Sequence, residues 1–502
     1  MEIPFSHREK DRIQYFLSIL TLCDNLCYYR NMFNNLIAKL ETSKTKYIVY
    51  LLIFAIYVFF TLNNLYMEGF NIDEMHVWNI SANLSWGEII KCMRAEGHTF
   101  VWYYILKPFT YFPDIFYPWI MKIINYIFII GAVLLILFRA PINLCYKILI
   151  IFSYPVFSFF PYLSRHYGIG IFLILLIASF YKNRFRHPVL FSILLFLCAN
   201  TSFLALITIL PIGLFFLYDM LKDRKKEYTI PIIILFLVPV VLFIQWHGYY
   251  TPEYNFNRFS NNFYGVMDNG FNSFKIIPAP YVPLVLFIEG IIACIFYFKN
   301  NVRCIISLAL TGAIFITFTM YIYNLSYYHY LFMPIAFVLV YWIFEESGTK
   351  PKNKDIIKGF NIWLVFCLII YLPIFKTEIK DFFYPRRLQN VILDCIYETI
   401  PEGSVLYTKM YLTRHYMEDL KEKYILRDVY GGDLLSLEHF YELYHSLYKF
   451  YRVDLDIHKT NGREYKHHYI FANDEFVDRS DIKDMYKGVP LRCAHFYIYK
   501  LD

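Results

Sequence analysis

The sequence predicts a polytopic α-helical membrane protein with a small C-terminal α/β domain outside the membrane. Three observations predict it. Apolar residues make up 58% of the 502 positions and aromatic residues 21%, well above the roughly 45–50% apolar usage of soluble domains. The mean hydropathy is +0.39. Apolar runs of spanning length recur along the first three quarters of the chain, separated by short basic turns, and a crossing needs about 20 such residues.

Residues 1–45 are polar and mixed, which predicts a cytoplasmic N-terminal segment and an uncleaved first membrane helix. Within it, Ile13, Phe16, Leu17, Leu20, Leu36, Ile37 and Leu40 suggest a helix lying on the membrane surface. Residues 46–375 form the membrane domain. Its candidate spans are 47–66, 115–138, 142–160, 168–181, 188–199, 202–218, 230–246, 283–298, 304–323, 331–344 and 360–375. That is about eleven crossings by the length criterion. Segment 99–112 is apolar but short, and reads as an interfacial helix on the outer side; a full crossing there would invert every later basic loop.

Cations set the orientation. Arg139, Lys147, Lys182, Arg184, Arg186, Lys222, Arg224, Lys225, Lys226, Lys299 and Arg303 cluster in alternate turns, predicting that these face the cytoplasm. The opposite loops, 67–98, 161–167, 200–201, 247–281, 325–330 and all residues from 376 on, then lie outside. Because the net charge of +7 sits in such turns, nucleic-acid binding is a poor reading. The ten cysteines include no CxxC pair and no zinc-type Cys/His cluster. In 376–502 the apolar runs shorten to strand length at 404–408, 468–472 and 495–499, with helical stretches at 437–450 and 481–487, the pattern of an α/β domain.

The candidate chemistry falls on the outer side. Asp73 and Glu74 follow the first span. Carboxylates at a membrane interface are costly if buried unpaired, so this pair is a solvated loop, a general base for an acceptor hydroxyl, or a ligand for a divalent metal such as Mg or Mn. His98 leads into the aromatic segment 99–104, placed either to donate to a phosphate or sugar oxygen or simply to cap it. Arg165 and Tyr167 end a span in the run Ser164-Arg165-His166-Tyr167. An outer arginine runs against the basic-inside pattern and suits bidentate phosphate binding. Asn200 sits in the polar turn Asn200-Thr201-Ser202, and His329 in Tyr327-Tyr328-His329-Tyr330. The spans are nearly free of charge away from their ends, apart from Lys122 and Glu289; the long Lys122 stem is expected to snorkel to the outer interface.

The order of these motifs, an acidic pair after the first span, a Gly97-His98 step into Trp102-Tyr103-Tyr104-Ile105-Leu106-Lys107, and a span ending in Arg165-x-Tyr167, resembles the membrane-embedded glycosyltransferases that use polyprenyl-phosphate sugars. Protein O-mannosyltransferases and aminoarabinose transferases belong to that class. The resemblance covers roughly residues 47–344. It implies Asp73 as catalytic base with Glu74 as its neighbour, and substrate binding by His98, Arg165 and Tyr167. It further implies a polyprenyl-phosphate sugar donor and a glycan, lipid or protein acceptor among membrane lipids. Three positions depart from the family pattern: Thr99 stands where a proline usually follows the histidine, Ser164 replaces part of a small-acidic pair, and a histidine near Ser202 is missing. A surface-polysaccharide polymerase or ligase and, less favoured by the uncharged spans, a transporter are the alternatives. Heavy use of Ile, Phe, Tyr, Lys and Asn suits a bacterial chain, hence the inner (cell) membrane.

Overall fold

The computed structural model describes residues 45–67, 72–96, 99–112, 119–246, 294–321, 329, 331–348, 396–408, 423–428, 468–473, 491–493 and 496–501. The surface helix of the N-terminal segment, the Gly97-His98 step, loop 247–281, span 360–375 and the helices at 437–450 and 481–487 lie outside the described residues, as do residues 283–293 of span 283–298.

The described chain is mostly helical. Helix α1 (Thr45–Met67) is followed by α2 (Ile72–Asn83), α3 (Trp86–Glu96) and α4 (Val101–Leu106), the last running into a 3-10 turn at Lys107–Tyr111. Then come α5 (Trp119–Phe138), α6 (Leu144–Ile151), a π-helical turn at Tyr154–Phe159, α7 (Tyr167–Phe180), α8 (Pro188–Ala199), α9 (Phe203–Asp223), α10 (Thr229–Trp246), α11 (Val302–Tyr321) and α12 (Phe332–Ser347). Among the described residues, four helices are long and apolar enough to cross a membrane: Thr45–Asn63, Ile120–Phe138, Phe203–Asp223 and Lys226–Gln245. Three shorter apolar helices, Tyr167–Asn183, Pro188–Ala199 and Val302–Phe318, pack among them. Only about a fifth of α1 and of α10 is buried. Their outer faces carry exposed Ile48, Leu51, Leu52, Phe59, Ile233, Phe236, Val240 and Phe243. Apolar patches of that extent on a soluble surface would aggregate; against lipid they are at rest.

Three expectations are corrected. Residues 142–160 are not one continuous α-helix. The helix stops at Ile151, because Pro155 has no N–H to give and its ring excludes the preceding turn. The chain tightens to Ser153 and re-forms with i+5 geometry, Phe160 N donating to Pro155 O at 3.1 Å. The Tyr57 hydroxyl donates to the Val156 carbonyl at 2.7 Å, satisfying a backbone group that neither lipid nor core could. Second, the connection at 67–98 is largely helical, containing α2 and α3, and the Ser85-x-x-Glu88 capping box starts α3. Third, Lys122 does not snorkel to the surface: it is fully buried in the first turn of α5. Segment 99–112 is eleven helical residues, too short to cross.

The core is tied by a few polar bonds. Thr61 Oγ1 and Tyr126 Oη lie 2.8 Å apart, joining α1 to α5. Lys147, buried after the basic turn, donates to Leu137 O at 2.7 Å and so caps the C-terminus of α5. Helices α5 and α7 approach closely at Gly131, against Phe172, and at Gly168, against Asn125. The hairpin of α8 and α9 turns at Asn200–Ser202, where Ser202 Oγ caps α9 by accepting from Ala205 N at 3.0 Å.

At the C-terminal end, β1 (Val405–Thr408), β2 (Ile425–Asp428), β3 (His468–Asn473), β4 (Leu491–Cys493) and β5 (Phe496–Leu501) form a sheet in the order β2-β1-β3-β5-β4. Pairs β1–β2 and β1–β3 are parallel, and β3–β5 and β4–β5 antiparallel. Three of these strands lie where the shortened apolar runs predict them; β2 and β4 are additional.

Candidate functional site

The site begins with a turn that the membrane core has to support. Between the π-helical segment and α7, the Tyr162, Leu163 and Arg165 N–H groups bond to carbonyls nearby in sequence, whereas the Ser164 N–H and the Phe160 and Pro161 carbonyls turn to other helices. Glu74, in the first turn of α2 and only 1% exposed, accepts the backbone N–H of Ser164 with its Oε1. The Asn125 amide, on α5, donates to Phe160 O at 2.9 Å and Pro161 O at 3.3 Å. One carboxylate and one carboxamide, from two other helices, thus hold both sides of the turn. Asp73 stands beside Glu74 in the same helical turn; its side chain lies outside the described residues.

The turn presents Arg165, 7% exposed, with its guanidinium carbon 5.5 Å from the Tyr167 ring centre. The phenol of Tyr167 in turn shares a hydrogen bond of 3.1 Å with His329 Nε2 at the start of α12, and Phe332 and Phe160 pack on that ring. His166 is buried against Tyr167, their ring centres 4.2 Å apart. Gly168 follows: a Cβ there would overlap Asn125 Oδ1, so only glycine lets α7 begin this close to α5. Lys122, one helical turn before Asn125 on α5, is buried as well. Buried charges of both signs are expensive and persist where they are paired or used.

A second polar cluster adjoins the first. One turn into α7, a Cβ on Gly170 would stand 3.4 Å from Thr201 Oγ1, so the Asn200–Ser202 turn rests against the helix that carries Tyr167. Asn200 Oδ1 accepts from Gln245 Nε2 at 3.1 Å, and Gln245 Oε1 accepts from Phe100 N at 2.9 Å. Asn200 O accepts from Val101 N at 3.3 Å. These bonds dock the start of α4, the segment that His98 leads into, onto the ends of α8 and α10.

Of the sequence-predicted residues, the structure therefore gathers Glu74, Arg165, Tyr167 and His329 in one cluster and sets Asn200 in the adjoining one. His98 lies outside the described residues. Sequence reasoning missed Asn125 and Gln245; each is a lone amide within an apolar helix, a signal that was available. Around the two clusters, Ser164 Oγ, Asn125 Oδ1, Thr99 Oγ1 and Trp102 Nε1 are buried with no hydrogen-bond partner among the described residues, an uncommon state in a native core. Among the described residues, no group of three or more His, Cys, Asp or Glu side chains is placed to hold a metal ion. Chemically, a fixed guanidinium beside a phenol–imidazole pair suits the binding of an oxyanion. Compared with known proteins, the chain matches no family model, no curated protein and no solved structure.

Proposed function

We propose that the chain is a glycosyltransferase that moves a sugar from a polyprenyl-phosphate carrier to a glycan, lipid or protein acceptor at the outer face of the membrane. The observation that carries this reading is the meeting of the acidic pair with the arginine turn: Glu74 holds Ser164 from 90 residues away. An acid at one motif and a cation at the other are the minimum set for displacing a phosphate from a sugar.

In this reading Asp73 accepts the proton of the acceptor hydroxyl as its oxygen attacks the anomeric carbon. The bond from that carbon to the phosphate oxygen breaks, and the polyprenyl phosphate leaves with the electron pair. Arg165, with His98, balances the charge that builds on the phosphate, the kind of preorganised stabilisation that gains most in a dry site. A phosphate needs no general acid to leave. Glu74 keeps the cationic turn in place, and Asn200 fixes the aromatic segment after His98. Eleven crossings, a cytoplasmic N-terminus and an outer α/β domain at 376–502 in a bacterial inner membrane complete the proposal.

The test is a transfer assay with purified protein and a panel of radiolabelled polyprenyl-phosphate sugars, run beside Asp73→Asn, with and without EDTA. Label should leave one donor in the wild type and fall by about 10²–10⁴-fold in the variant. The EDTA arm reports whether Mg or Mn takes part. A folded Asp73→Asn protein with near-normal turnover would remove Asp73 as the base. No turnover of any donor would favour a polymerase of diphosphate-linked oligosaccharides or a transporter.

A further inference from the structure

At the opposite, basic end of the bundle, the inner ends of α7, α9, α11 and α12 enclose a cavity of about 300 Å³. Lys182, Arg184, Asn301, Arg303, Ser307 and Glu346 line it. Asp219 fixes two of the cations: Arg303 donates to both its oxygens, at 2.6 and 2.7 Å, and Arg184 Nη2 lies 3.9 Å from Oδ2. Three cations thus meet two carboxylates, leaving positive charge in excess. Arg184 is immobilised, its guanidinium stacked 4.0 Å from the Tyr181 ring centre and bonded to Tyr181 O at 2.9 Å.

Two donors and one acceptor in this wall lack a hydrogen-bond partner among the described residues: Ser307 Oγ, on a residue 2% exposed, Arg184 Nε and Glu346 Oε2. A buried donor left unpaired costs about 1–3 kcal/mol unless something supplies an acceptor. The cavity also has an apolar continuation. Leu214, Phe215, Tyr218 and Arg303 line a second groove, which shares Phe215 and Arg303 with the first. Leu214 and Tyr218 are exposed on the outer face of α9, and the Arg303 guanidinium sits 5.3 Å over Phe215 where the two meet. A chamber whose otherwise apolar wall carries a cationic patch, opening onto an apolar groove on a lipid-facing helix, is amphipathic in the same sense as a phospholipid, and basic pockets between membrane helices favour anionic headgroups.

We propose that cavity and groove bind one anionic phospholipid from the leaflet at the basic end, its phosphate against Arg184, Arg303 and Ser307 and an acyl chain along Leu214, Phe215 and Tyr218. The site lies at the end of the bundle away from the Glu74–Ser164 bond and does not depend on the proposed transfer reaction. Native mass spectrometry of the purified protein tests it, titrated with phosphatidylglycerol, phosphatidylcholine or inorganic phosphate. One phosphatidylglycerol should be retained at least about tenfold more tightly than phosphatidylcholine, with no retention of phosphate. Arg184→Gln should weaken retention about tenfold, and Ser307→Leu, which fills the chamber, should abolish it. Ser307→Ala, with an intermediate effect, decides the matter if the leucine variant does not fold. Equal retention of the two lipids, retention unchanged in the folded variants, or phosphate bound as well as lipid would each overturn the proposal.

Discussion

The Glu74 carboxylate accepts the backbone N–H of Ser164, so that one side chain of α2 holds the turn on which Arg165 is displayed. The bond is buried, local to neither element, and replaces a hydrogen bond that no helix supplies at that point. It makes the position of Arg165 a property of α2 as much as of α7.

Removing that acceptor should therefore cost stability before it costs chemistry. Glu74→Ala leaves the Ser164 N–H buried and unpaired, a loss of about 1–3 kcal/mol, whereas Glu74→Gln keeps an amide oxygen in place and should lose less. Thermal unfolding in detergent micelles distinguishes them; equal midpoints for wild type and both variants would mean that the bond does not hold the turn.

Gly168 offers a steric test. Gly168→Val has to displace Asn125 from the Phe160 and Pro161 carbonyls, an overpacking cost of about 1–3 kcal/mol. Gly87→Ala, where no atom lies within 4 Å of the added carbon, should be neutral or stabilising by up to about 1 kcal/mol. Melting midpoints of the two variants should move apart; a valine tolerated at 168 would show that α5 and α7 have slack at this point.

The Tyr167–His329 contact is accessible to a double-mutant cycle. Tyr167→Phe and His329→Phe each lose the 3.1 Å bond, about 1 kcal/mol apiece, and the double variant should cost little more than either single one. Strictly additive losses in unfolding free energy would show the two groups to be independent.

One pH effect has a clear sign. Ser85 donates to Glu88 Oε2 from its hydroxyl at 2.6 Å and from its backbone N–H at 2.8 Å. These bonds, the hydroxyl first, hold the Glu88 carboxyl below its usual range. A carboxyl lowered on folding stabilises the fold above the unfolded value, about 4.3, and that contribution disappears as pH falls through the folded value. Ser85→Ala should raise the Glu88 value towards the ordinary one in a carbon-detected NMR titration; an unmoved titration would show the hydroxyl to be irrelevant.

What was legible in the sequence follows from which forces act locally. Long apolar helices such as α1, α5 and α9 announce themselves by composition, because lipid demands it residue by residue. The strands β1, β3 and β5 announce themselves as short apolar runs. The break at Pro155 was hidden by an apolar sum in which proline counts as one more carbon-rich residue, although its missing N–H decides the geometry. Helix α3 carried a readable start signal in Ser85-x-x-Glu88, overlooked beside the acidic pair. At the site, single motifs located Glu74, Arg165, Tyr167 and His329, since charge and hydroxyls are conspicuous at a membrane boundary. Their joining was not legible: nothing near residue 74 specifies residue 164, and Asn125 and Gln245 matter only through partners far along the chain. Strands β2 and β4, three or four residues long, owe their existence to neighbours rather than to their own composition.

Helix α1 has a consequence for the lipid itself. It is 23 residues long, about 34 Å, and four residues separate it from α2 and the acidic pair. A lone helix meets a thinner or thicker bilayer by tilting. Here tilting would have to break the Tyr57–Val156 and Thr61–Tyr126 bonds, and Glu74 is moored to Ser164. With the helix denied that freedom, hydrophobic mismatch falls on the surrounding acyl chains, which must stretch or compress around the protein to match it.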